Sequence, residues 1–306
     1  MVTSAMTLPT FIIAGAPKCG TTALWRFLDE HPCVGMSQIK EPRFFTSARS
    51  FGEGIIRPGP PRPIQYDRGL AWYESLFDPA KAVRGEASTL YFGASDAAEL
   101  IRRHLPDVRL VFLLRDPAAR LYSHYWQDHK SGIELESFDR MVANETPEFR
   151  FYALFSGYRR NLERFLATFP EEQLLFLLYD DLRRNPLETF RAVCRFIGAD
   201  PAFTPTTFTQ AHNPHAVPRS RHLAALSTRL QHAKATQWLP EGMRRALGRV
   251  RGKLSELNAR PAAYPPMPAA LRAQLVERFA DDVAYVERLL DVDLAAWCDP
   301  DWATAR

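Results

Sequence analysis

Three short runs of apolar residues stand out along the chain and predict buried β-strands. They span residues 10–14, 108–114 and 174–178, and β-branched or large aliphatic side chains dominate each of them. Polar residues do not alternate with apolar ones within the runs, a pattern typical of parallel strands that helices cover on both faces. The sequence therefore predicts a central sheet whose strands are separated by helices.

Helical patterns follow the first two runs. After the first run, Leu24, Phe27 and Leu28 share one helical face, and the glycine-containing residues 15–20 separate the strand from this helix. After the second run, Pro117 predicts the start of a helix that continues to about residue 130, because proline is favoured in the first helical turn. The order of strand, loop and helix opens a βαβ unit.

A long amphipathic stripe near the end of the chain predicts a helix that packs on the core. Proline-rich loops at residues 57–63 and 261–268 interrupt regular structure, and the stripe follows the second of them. Apolar residues recur in it at helical spacing: Leu271, Leu275, Phe279, Val283, Val286 and Leu290. We expect one continuous helix here.

The alternation of strands and helices predicts an α/β protein. We expect a single domain over residues 1–306, with a mainly helical C-terminal extension from about residue 225. The expected fold is a three-layer, P-loop-like arrangement in which helices flank a central, mostly parallel sheet. Ligands of such folds bind at the carboxyl ends of the strands, so the loops after the predicted strands are the candidate sites.

Charge and the N-terminal sequence narrow the function classes. The net charge of +4 suits an anionic ligand, but arginine is spread along the chain and forms no dense basic arm. We therefore expect no nucleic-acid partner. The N-terminus has no basic segment followed by a long apolar run, which favours a cytoplasmic protein without a signal peptide or transmembrane segment.

The cysteines argue against a metal or disulfide framework. Cys19, Cys33, Cys194 and Cys298 form no CxxC pair and are widely separated. This pattern predicts neither a zinc site nor disulfides, and it favours a reducing compartment. Cys19 lies just before a predicted helix, whose N-terminus is expected to lower the pKa of the thiol, so that oxidation would block the loop.

The loop after the first predicted strand has the spacing of a phosphate-binding loop. Gly15, Gly20 and Thr22 match the two glycines and the final hydroxyl residue of the pattern G-x-x-x-x-G-K-[ST]. Thr21 stands at the lysine position of that pattern, and the lysine of this loop is Lys18. Backbone N–H groups at the helix N-terminus would still form an anion cradle. A glycine-rich turn that only joins strand to helix is the alternative.

A second candidate anion site follows the second predicted strand. Arg115 lies at the end of the strand, and Ser123 follows it by eight residues within the predicted helix. An arginine and a hydroxyl in this arrangement can bind one phosphate together. The alternative is that Arg115 forms an ion pair with Asp116 or another carboxylate.

Both segments carry a resemblance to one enzyme family. Residues 16–22 resemble the 5′-phosphosulfate loop of sulfotransferases that use 3′-phosphoadenosine 5′-phosphosulfate (PAPS), and residues 115–125 resemble the 3′-phosphate motif of that family. The resemblance implies that Lys18 contacts the oxygen between sulfate and phosphate. The cofactor-binding residues that it implies in these two segments are Lys18, Cys19, Gly20, Thr21, Thr22, Arg115 and Ser123.

A third segment, residues 211–221, looks like the loop that folds over the nucleotide in bacterial sulfotransferases. The resemblance implies that basic side chains from this loop contact the 3′-phosphate. Arg219 is the first candidate and Arg221 the next, and an ordinary basic surface loop is the alternative.

A candidate catalytic carboxylate lies in residues 40–45. This segment resembles one in the heparan-sulfate-type branch and its bacterial relatives, where a glutamate before two phenylalanines acts as general base. The resemblance implies that Glu41 takes the proton of the acceptor while Lys18 stabilises charge on the departing adenosine 3′,5′-diphosphate. A surface ion pair with Lys40 is the alternative for Glu41. Phe44 and Phe45 are expected in the core.

Two departures from the family pattern concern the acceptor. Glu86 begins a segment similar to the family's Glu-Lys-Thr/Ser-Pro, but Ala87 stands at the lysine that contacts sulfated glycans in that branch, and no proline follows. Arg43 stands where relatives often carry histidine or glutamine. Both departures argue against a glycosaminoglycan acceptor. Glu86 is a second base, an acceptor-binding group or a structural residue.

The resemblance therefore implies a PAPS-dependent sulfotransferase that needs no metal. Its acceptor would be a hydroxyl or amine of a carbohydrate, a lipid or a small molecule. His124, His212 and His215 are alternative bases.

Two other function classes stay open at this point. A P-loop nucleotide kinase would need a lysine in place of Thr21 and a magnesium-binding aspartate, for which Asp116 is the candidate. A non-catalytic nucleotide-binding module would keep the phosphate motifs but would not need Glu41.

Overall fold

The computed structural model describes residues 7–61, 63–209, 216–218, 259–261 and 264–299. Five parallel strands form its central sheet, in the order β2-β3-β1-β4-β5. The strands are β1 (Phe11–Gly15), β2 (Val34–Met36), β3 (Val83–Ala87), β4 (Arg109–Leu114) and β5 (Leu174–Leu178). This sheet with its flanking helices confirms the predicted α/β fold with a central, mostly parallel sheet.

Helices connect the strands and cover the sheet. The first nine are α1 (Thr21–Asp29), α2 (Leu70–Glu74), α3 (Ala97–His104), α4 (Pro117–Lys130), α5 (Phe138–Ala143), α6 (Pro147–Leu154), α7 (Tyr158–Thr168), α8 (Tyr179–Arg184) and α9 (Pro186–Ile197). Near the C-terminus follow α10 (Ala269–Arg278), α11 (Ala280–Leu290) and α12 (Ala295–Cys298). A short antiparallel pair joins β6 (Ala216–Pro218) to β7 (Ala259–Pro261). Among the described residues, no helix is long and apolar enough to cross a membrane.

The predicted strands and the helix after the second of them lie where the sequence pattern puts them. β1 and β4 occupy the middle of the sheet, and the side chains of residues 11–13 and 110–114 are completely buried. Each such side chain contributes about 1.5–3 kcal/mol when it leaves water. α4 begins at Pro117, which is its first residue, and ends at Lys130 as predicted.

The sequence analysis did not predict two of the strands, β2 and β3. β2 has only three residues, and β3 carries Arg84 and Glu86 among its five residues, so neither shows an apolar run. Gly85 in β3 allows the strand to approach its neighbour, because a Cβ atom there would lie 2.0 Å from the ring of Phe11. β3 is therefore defined by a close fit to β1 rather than by local hydrophobicity.

The predicted C-terminal helix is divided in two. α10 and α11 are separated at Phe279, whose φ of −105° and ψ of 13° depart from helical values. The apolar stripe nevertheless packs on the core as expected, with Leu275 and Val286 completely buried. The expected start of the C-terminal extension, near residue 225, lies outside the described residues.

A buried ion pair fastens this C-terminal segment to the sheet. Arg272 of α10 donates from Nη1 to Asp116 Oδ1 at 2.7 Å and from Nη2 to the carbonyl of Trp297 at 2.8 Å. Both charged side chains are only 1% exposed. Asp116 also caps α4, because its Oδ1 accepts the N–H groups of Ala118 and Ala119. One carboxylate thus joins the end of β4, the start of α4 and the C-terminal helices.

We predict that Arg272→Met destabilises the protein by about 3–5 kcal/mol, because the substitution leaves the carboxylate of Asp116 buried without its cation. Urea unfolding followed by circular dichroism measures the change. Arg278→Met is the matched control. It removes an ion pair with Glu145 that is about two-fifths exposed, and it should cost no more than about 1 kcal/mol. Equal losses for the two variants would show that the buried pair does not anchor α10.

Candidate active site

The loops that follow three neighbouring strands meet at one edge of the sheet. β1 lies between β3 and β4, and its carboxyl end is tied to β4 by the N–H of Ala16, which donates to the carbonyl of Leu113 at 2.9 Å. On the other side, the N–H of Ser88 after β3 donates to the carbonyl of Ile13 at 3.1 Å. Residues 16–20, 88–89 and 115–116 are therefore adjacent, at the edge where α/β proteins bind ligands.

The loop of residues 16–20 ends at the N-terminus of α1. Gly20 is the N-cap residue, and no side chain caps the helix. The first-turn N–H groups of a helix have no partner within it, and they carry the positive end of its dipole. The loop thus ends at a helix N-terminus of the kind that binds anions.

Gly20 is required at its position for two reasons. Its φ is +86°, in the left-handed region that side chains disfavour. A Cβ atom there would also lie 2.8 Å from Leu182 Cδ2 and 2.9 Å from Tyr179 Cδ2 of α8. The bend of the loop and the packing of α8 against it both depend on the missing side chain.

Lys18 projects from the middle of this loop. Its Nζ donates to Gln127 Oε1 of α4 at 2.5 Å. Burial, with a smaller contribution from the positive charge of Arg115, lowers the pKa of Lys18 to about 8, although Asp128 acts in the opposite direction. The ammonium group is therefore held near other charges in a poorly hydrated place, where a bound anion would stabilise it.

Arg115 contacts the same loop from the end of β4. Its Nη1 donates to the carbonyl of Lys18 at 3.3 Å, and its guanidinium lies 4.7 Å from the centre of the Tyr179 ring. The alternative ion pair with Asp116 does not form, because Asp116 is completely buried and bound to Arg272. The same contacts remove Asp116 as the magnesium ligand that a kinase would need.

One face of α4 points at the loop. Arg120, Ser123, His124 and Gln127 are spaced three, one and three residues apart, which places them on the same helical face. Contacts with the loop come from both ends of this stripe, since Arg120 Nη1 donates to the carbonyl of Pro17 at 3.5 Å and Gln127 binds Lys18. Sequence reasoning singled out Ser123 as a candidate but not Arg120 or Gln127. The polar stripe at helical spacing was the signal for both.

Arg120 is a completely buried cation without a carboxylate partner among the described residues. Its donors are satisfied by neutral oxygens: Ser156 Oγ at 2.7 Å and the carbonyl of Tyr152 at 2.5 Å, besides Pro17. Burial lowers the pKa of Arg120 to about 10, which leaves it charged at neutral pH. Buried charges are normally paired, so an unpaired one beside a loop of this shape indicates an anionic ligand.

His124 is held neutral in one tautomer. Burial lowers its pKa well below the usual value, and the neighbouring charges of Arg120, Lys18 and Arg57 lower it further. Arg120 Nη1, which can only donate, lies 3.3 Å from His124 Nδ1. Nδ1 is therefore the acceptor and Nε2 carries the proton, which argues against His124 as a base. The other alternative bases, His212 and His215, lie outside the described residues.

The expectation for Cys19 was wrong. The side chain is completely buried, and burial raises the pKa of the thiol to about 11. Nearby positive charges from Arg120, Arg115 and Lys18 oppose this shift but do not cancel it. Cys19 is a protonated core residue of the loop rather than an oxidation-sensitive thiolate.

Glu41 lies at the carboxyl end of β3, next to the loop. Its N–H donates to the carbonyl of Ala87 at 3.0 Å. Thr89 holds the carboxylate at both oxygens, with its N–H at 3.1 Å and its hydroxyl at 2.9 Å. The alternative ion pair is also present, since Lys40 Nζ lies 3.6 Å from Oε1. The side chain of Glu41 is 25% exposed, so the carboxylate is oriented and accessible.

Arg57 lies beside this carboxylate and was not singled out from the sequence. It makes no hydrogen bond or ion pair with any residue that the structure describes. Burial and, to a smaller extent, the positive charge of Arg43 together lower the pKa of Arg57 to about 10. Asp128 and Glu41 act on it in the opposite direction. Because Asp128 also acts on Lys18, the two halves of the site share one electrostatic environment.

Glu86 lies beneath Glu41 and is completely buried. Three hydroxyl groups donate to its carboxylate: Tyr73 and Tyr91 to Oε1, each at 2.8 Å, and Ser88 to Oε2 at 2.6 Å. Burial raises the pKa of Glu86 to about 7. Its complete burial argues against direct contact with an acceptor and favours the structural alternative. Phe44 and Phe45 are 1% and 0% exposed, which confirms that they belong to the core.

Two predicted contacts fall outside the structure that can be described. Arg219 and Arg221 of the third segment lie among the residues that are not described. Within the described ranges, no three histidine, cysteine, aspartate or glutamate side chains are grouped closely enough to hold a metal ion.

Comparisons with known proteins agree on one family. The model of a family described as "Sulfotransferase domain" matches residues 8–216. The chain is 28% identical over 297 residues to the bifunctional heparan sulfate N-deacetylase/N-sulfotransferase 3 of Mus musculus, an alignment that covers 92% of this chain and 30% of the mouse protein. It is 29% identical over 219 residues to the bifunctional heparan sulfate N-deacetylase/N-sulfotransferase of Drosophila melanogaster, which covers 63% of this chain and 20% of the fly protein. The chain thus spans less than a third of the length of these relatives.

A solved structure shares the fold. The crystal structure of a sulfotransferase from Alicyclobacillus acidocaldarius superposes with a TM-score of 0.67 at 25% sequence identity. The match covers 95% of this chain and 99% of the bacterial one. The similarity therefore extends beyond the loop motifs to the whole arrangement of sheet and helices.

We predict that Gly20→Ala destabilises the protein and abolishes anion binding at the loop. The left-handed φ costs about 1–2 kcal/mol for a residue with a Cβ, and the contacts with α8 add about 1–3 kcal/mol of overpacking. Thermal unfolding with and without inorganic pyrophosphate measures both effects. Gly52→Ala is the control, because its φ is also positive (+76°) but nothing lies within 4 Å of its Cβ. Equal losses for the two variants would contradict the steric argument.

Proposed function

Because the chain belongs to the sulfotransferase domain family, we propose that it transfers a sulfuryl group from PAPS to a hydroxyl or amine of an acceptor. The observation that carries this proposal is a group of three cations, Lys18, Arg115 and Arg120, around the N-terminus of α1. None of them forms an ion pair with a described residue. Their partners are carbonyls, a hydroxyl, an amide and two rings.

This donor set fits a cofactor with several negative charges. Two unit charges 4 Å apart interact with about 4 kcal/mol at an effective dielectric constant near 20, so unpaired cations that lie close together repel each other. Phosphate and sulfate groups would remove that repulsion. We assign Lys18 and the backbone of residues 19–22 to the 5′-phosphosulfate. Arg115 and Ser123, with Arg219 and Arg221 of the third segment, are our candidates for the 3′-phosphate.

Different residues at the site can support different steps of an in-line displacement. PAPS supplies an activated sulfuryl group, whose sulfur accepts a new bond from the acceptor oxygen or nitrogen as the bond to the 5′-phosphate oxygen breaks. Glu41 receives the acceptor proton, because its carboxylate is oriented by Thr89 and accessible. Lys18 and the α1 dipole stabilise the charge that develops on the departing oxygen of adenosine 3′,5′-diphosphate.

The acceptor that we propose is a carbohydrate, a lipid or a small molecule with a free hydroxyl or amine. The names of the relatives mention heparan sulfate, but the position of the glycan-contacting lysine is occupied here by Ala87, whose side chain is completely buried. Positive charge near Glu41 comes instead from Arg43 and Arg57. An acceptor screen should therefore first test acceptors other than glycosaminoglycans, including acceptors that carry a carboxylate or phosphate.

We predict that the protein binds adenosine 3′,5′-diphosphate without metal, with a dissociation constant of about 1 μM, and binds ATP with magnesium more weakly. Each charge-assisted hydrogen bond is worth about 1.5–3 kcal/mol, so Lys18→Ala and Arg115→Ala should each weaken binding by at least about tenfold. Isothermal titration calorimetry measures the constants. Lys81→Ala is the control, because Lys81 precedes β3, at the opposite end of the strands from the site.

The pH dependence of this binding tests Lys18 separately. The free lysine loses its charge above about pH 8, and an anion beside it would raise its pKa, so binding takes up protons near and above that pH. Affinity should therefore fall as the pH rises from 8 to 10. Titrations in buffers of different ionisation enthalpy detect the uptake, which Lys18→Ala should abolish. Magnesium-dependent ATP binding without a response to the diphosphate would overturn the proposed function and favour a kinase.

We predict that Glu41→Gln lowers kcat for PAPS-dependent sulfation by at least about 100-fold, because the amide cannot accept the acceptor proton. The affinity for adenosine 3′,5′-diphosphate should stay unchanged. Lys40→Met is the matched control, since it breaks the same surface ion pair and keeps the carboxylate. A Glu41→Gln variant with full activity would remove Glu41 from the assigned role, and equal losses in both variants would return it to the ion-pair interpretation.

A further inference from the structure

The segment that carries Glu41 has a strained backbone. Glu41 and Arg43 have φ values of +61° and +53°, in the left-handed region, although neither is glycine. Left-handed residues with a Cβ cost about 1–2 kcal/mol each. Strain of this kind persists only where the surroundings hold the backbone in place. Contacts with neighbouring residues must therefore hold the backbone of residues 41–45 in this conformation.

Three hydrogen bonds fix it. The N–H of Glu41 donates to the carbonyl of Ala87 at 3.0 Å. The N–H of Arg43 donates to Ser88 Oγ at 2.8 Å, and that of Phe45 donates to the hydroxyl of Tyr91 at 3.3 Å. Two of the three acceptors are thus side-chain hydroxyls, which act as acceptors here only if their own protons point elsewhere.

Glu86 determines where those protons point. Ser88 and Tyr91 each have one hydroxyl proton, and each donates it to the Glu86 carboxylate, at 2.6 Å and 2.8 Å. Their lone pairs are left for the backbone N–H groups of the loop. A third hydroxyl, that of Tyr73, donates to the same Oε1 at 2.8 Å, but it accepts no backbone N–H of the loop. A buried carboxylate thus orients two hydroxyls that in turn orient the loop.

We propose that Glu86 is a positioning residue for Glu41, which it holds in its reactive orientation through Ser88 and Tyr91 without touching the substrate. The proposal rests on the proposed role of Glu41 as general base. It accounts for the presence of a glutamate in β3. The carboxylate of Glu86 is completely buried and so has no direct contact with a reacting atom. Two of the three described donors to Glu86, Ser88 and Tyr91, have both a proton and lone pairs in use, so they can relay its orientation to the loop.

Glu86 must be ionised if its carboxylate is to accept the hydroxyl protons of Ser88 and Tyr91 and so orient both groups. The pKa of Glu86 is raised to about 7, chiefly by burial; the hydrogen bonds from Ser88, Tyr91 and Tyr73 oppose this shift and Glu41 adds to it. A protonated Glu86 would carry a proton of its own among three donating hydroxyls, so one of them would have to turn. Rates are therefore best compared above pH 7, where the carboxylate accepts all three.

Two tyrosines provide a matched test. Tyr91→Phe and Tyr73→Phe each remove one hydroxyl that donates to Glu86 Oε1 at 2.8 Å, but only Tyr91 also accepts from the loop backbone. Tyr91→Phe and Ser88→Ala should lower kcat by about 10- to 100-fold, the range for a misplaced catalytic group. Tyr73→Phe should stay within about threefold of the wild type. Affinity for adenosine 3′,5′-diphosphate should not change in any variant.

A double-mutant cycle with Glu41 separates positioning from general structural damage. If Tyr91 acts through Glu41, adding Tyr91→Phe to Glu41→Gln should lower the remaining rate no further. Thermal unfolding of every variant checks that it is folded. The phenylalanine variants keep their rings in place, so the test does not depend on whether Glu86→Gln itself folds.

The outcomes distinguish this proposal from the proposed function. Equal loss of kcat in Tyr91→Phe and Tyr73→Phe, or additive losses in the cycle, would overturn the positioning role while the effect of Glu41→Gln stands. Full activity of Glu41→Gln would instead remove the base on which the proposal rests. A selective loss in Tyr91→Phe that disappears in the Glu41→Gln background supports it.

Discussion

Unbalanced positive charge at the carboxyl ends of β1 and β4 is the constraint around which the site is built. Lys18, Arg115 and Arg120 converge there, and the residues that hold them are neutral. Carbonyl oxygens orient a guanidinium without cancelling its charge, so the repulsion among the three remains in the free protein. A ligand with several negative charges removes that repulsion and stabilises the folded state as it binds. Anion binding and the stability of the loop are therefore linked by the same contacts.

Such a site needs a rigid frame, because repelling cations would otherwise move apart. The junction of β4 and α4 supplies it. Asp116 caps α4 and pairs with Arg272 of the C-terminal helices, so its carboxylate has a structural role and forms no ion pair with the neighbouring Arg115. Two adjacent residues thus have different roles: the buried carboxylate of Asp116 stabilises the junction of β4 and α4, and the guanidinium of Arg115 stays without a carboxylate partner among the described residues. The C-terminal helices contribute to the site through this anchor.

The sequence predicts those parts of the fold and site that depend on residues close to one another along the chain. β1, β4 and β5 are continuous apolar runs, and Pro117 marks the first residue of α4. β3 could not be predicted, because Glu86 looks like a surface residue in the sequence and is surrounded by three hydroxyls only in the folded chain. The pKa of Cys19 depends on complete burial, which its place before a helix does not reveal. Likewise, Asp116 and Arg272 are 156 residues apart, and only the folded chain pairs them.

The two halves of the site are joined by one residue that no local pattern singles out. The backbone carbonyl of Tyr152 accepts from Arg120 on the anion side, and its hydroxyl donates to Asp128 at 2.9 Å. Asp128 in turn acts on Lys18 and on Arg57 near the candidate base. A shift of α6 would therefore change the charge environment of both halves together. The proposed sulfuryl transfer requires the donor and the candidate base in register. Tyr152 contacts the anion side directly and affects the side of the candidate base through Asp128.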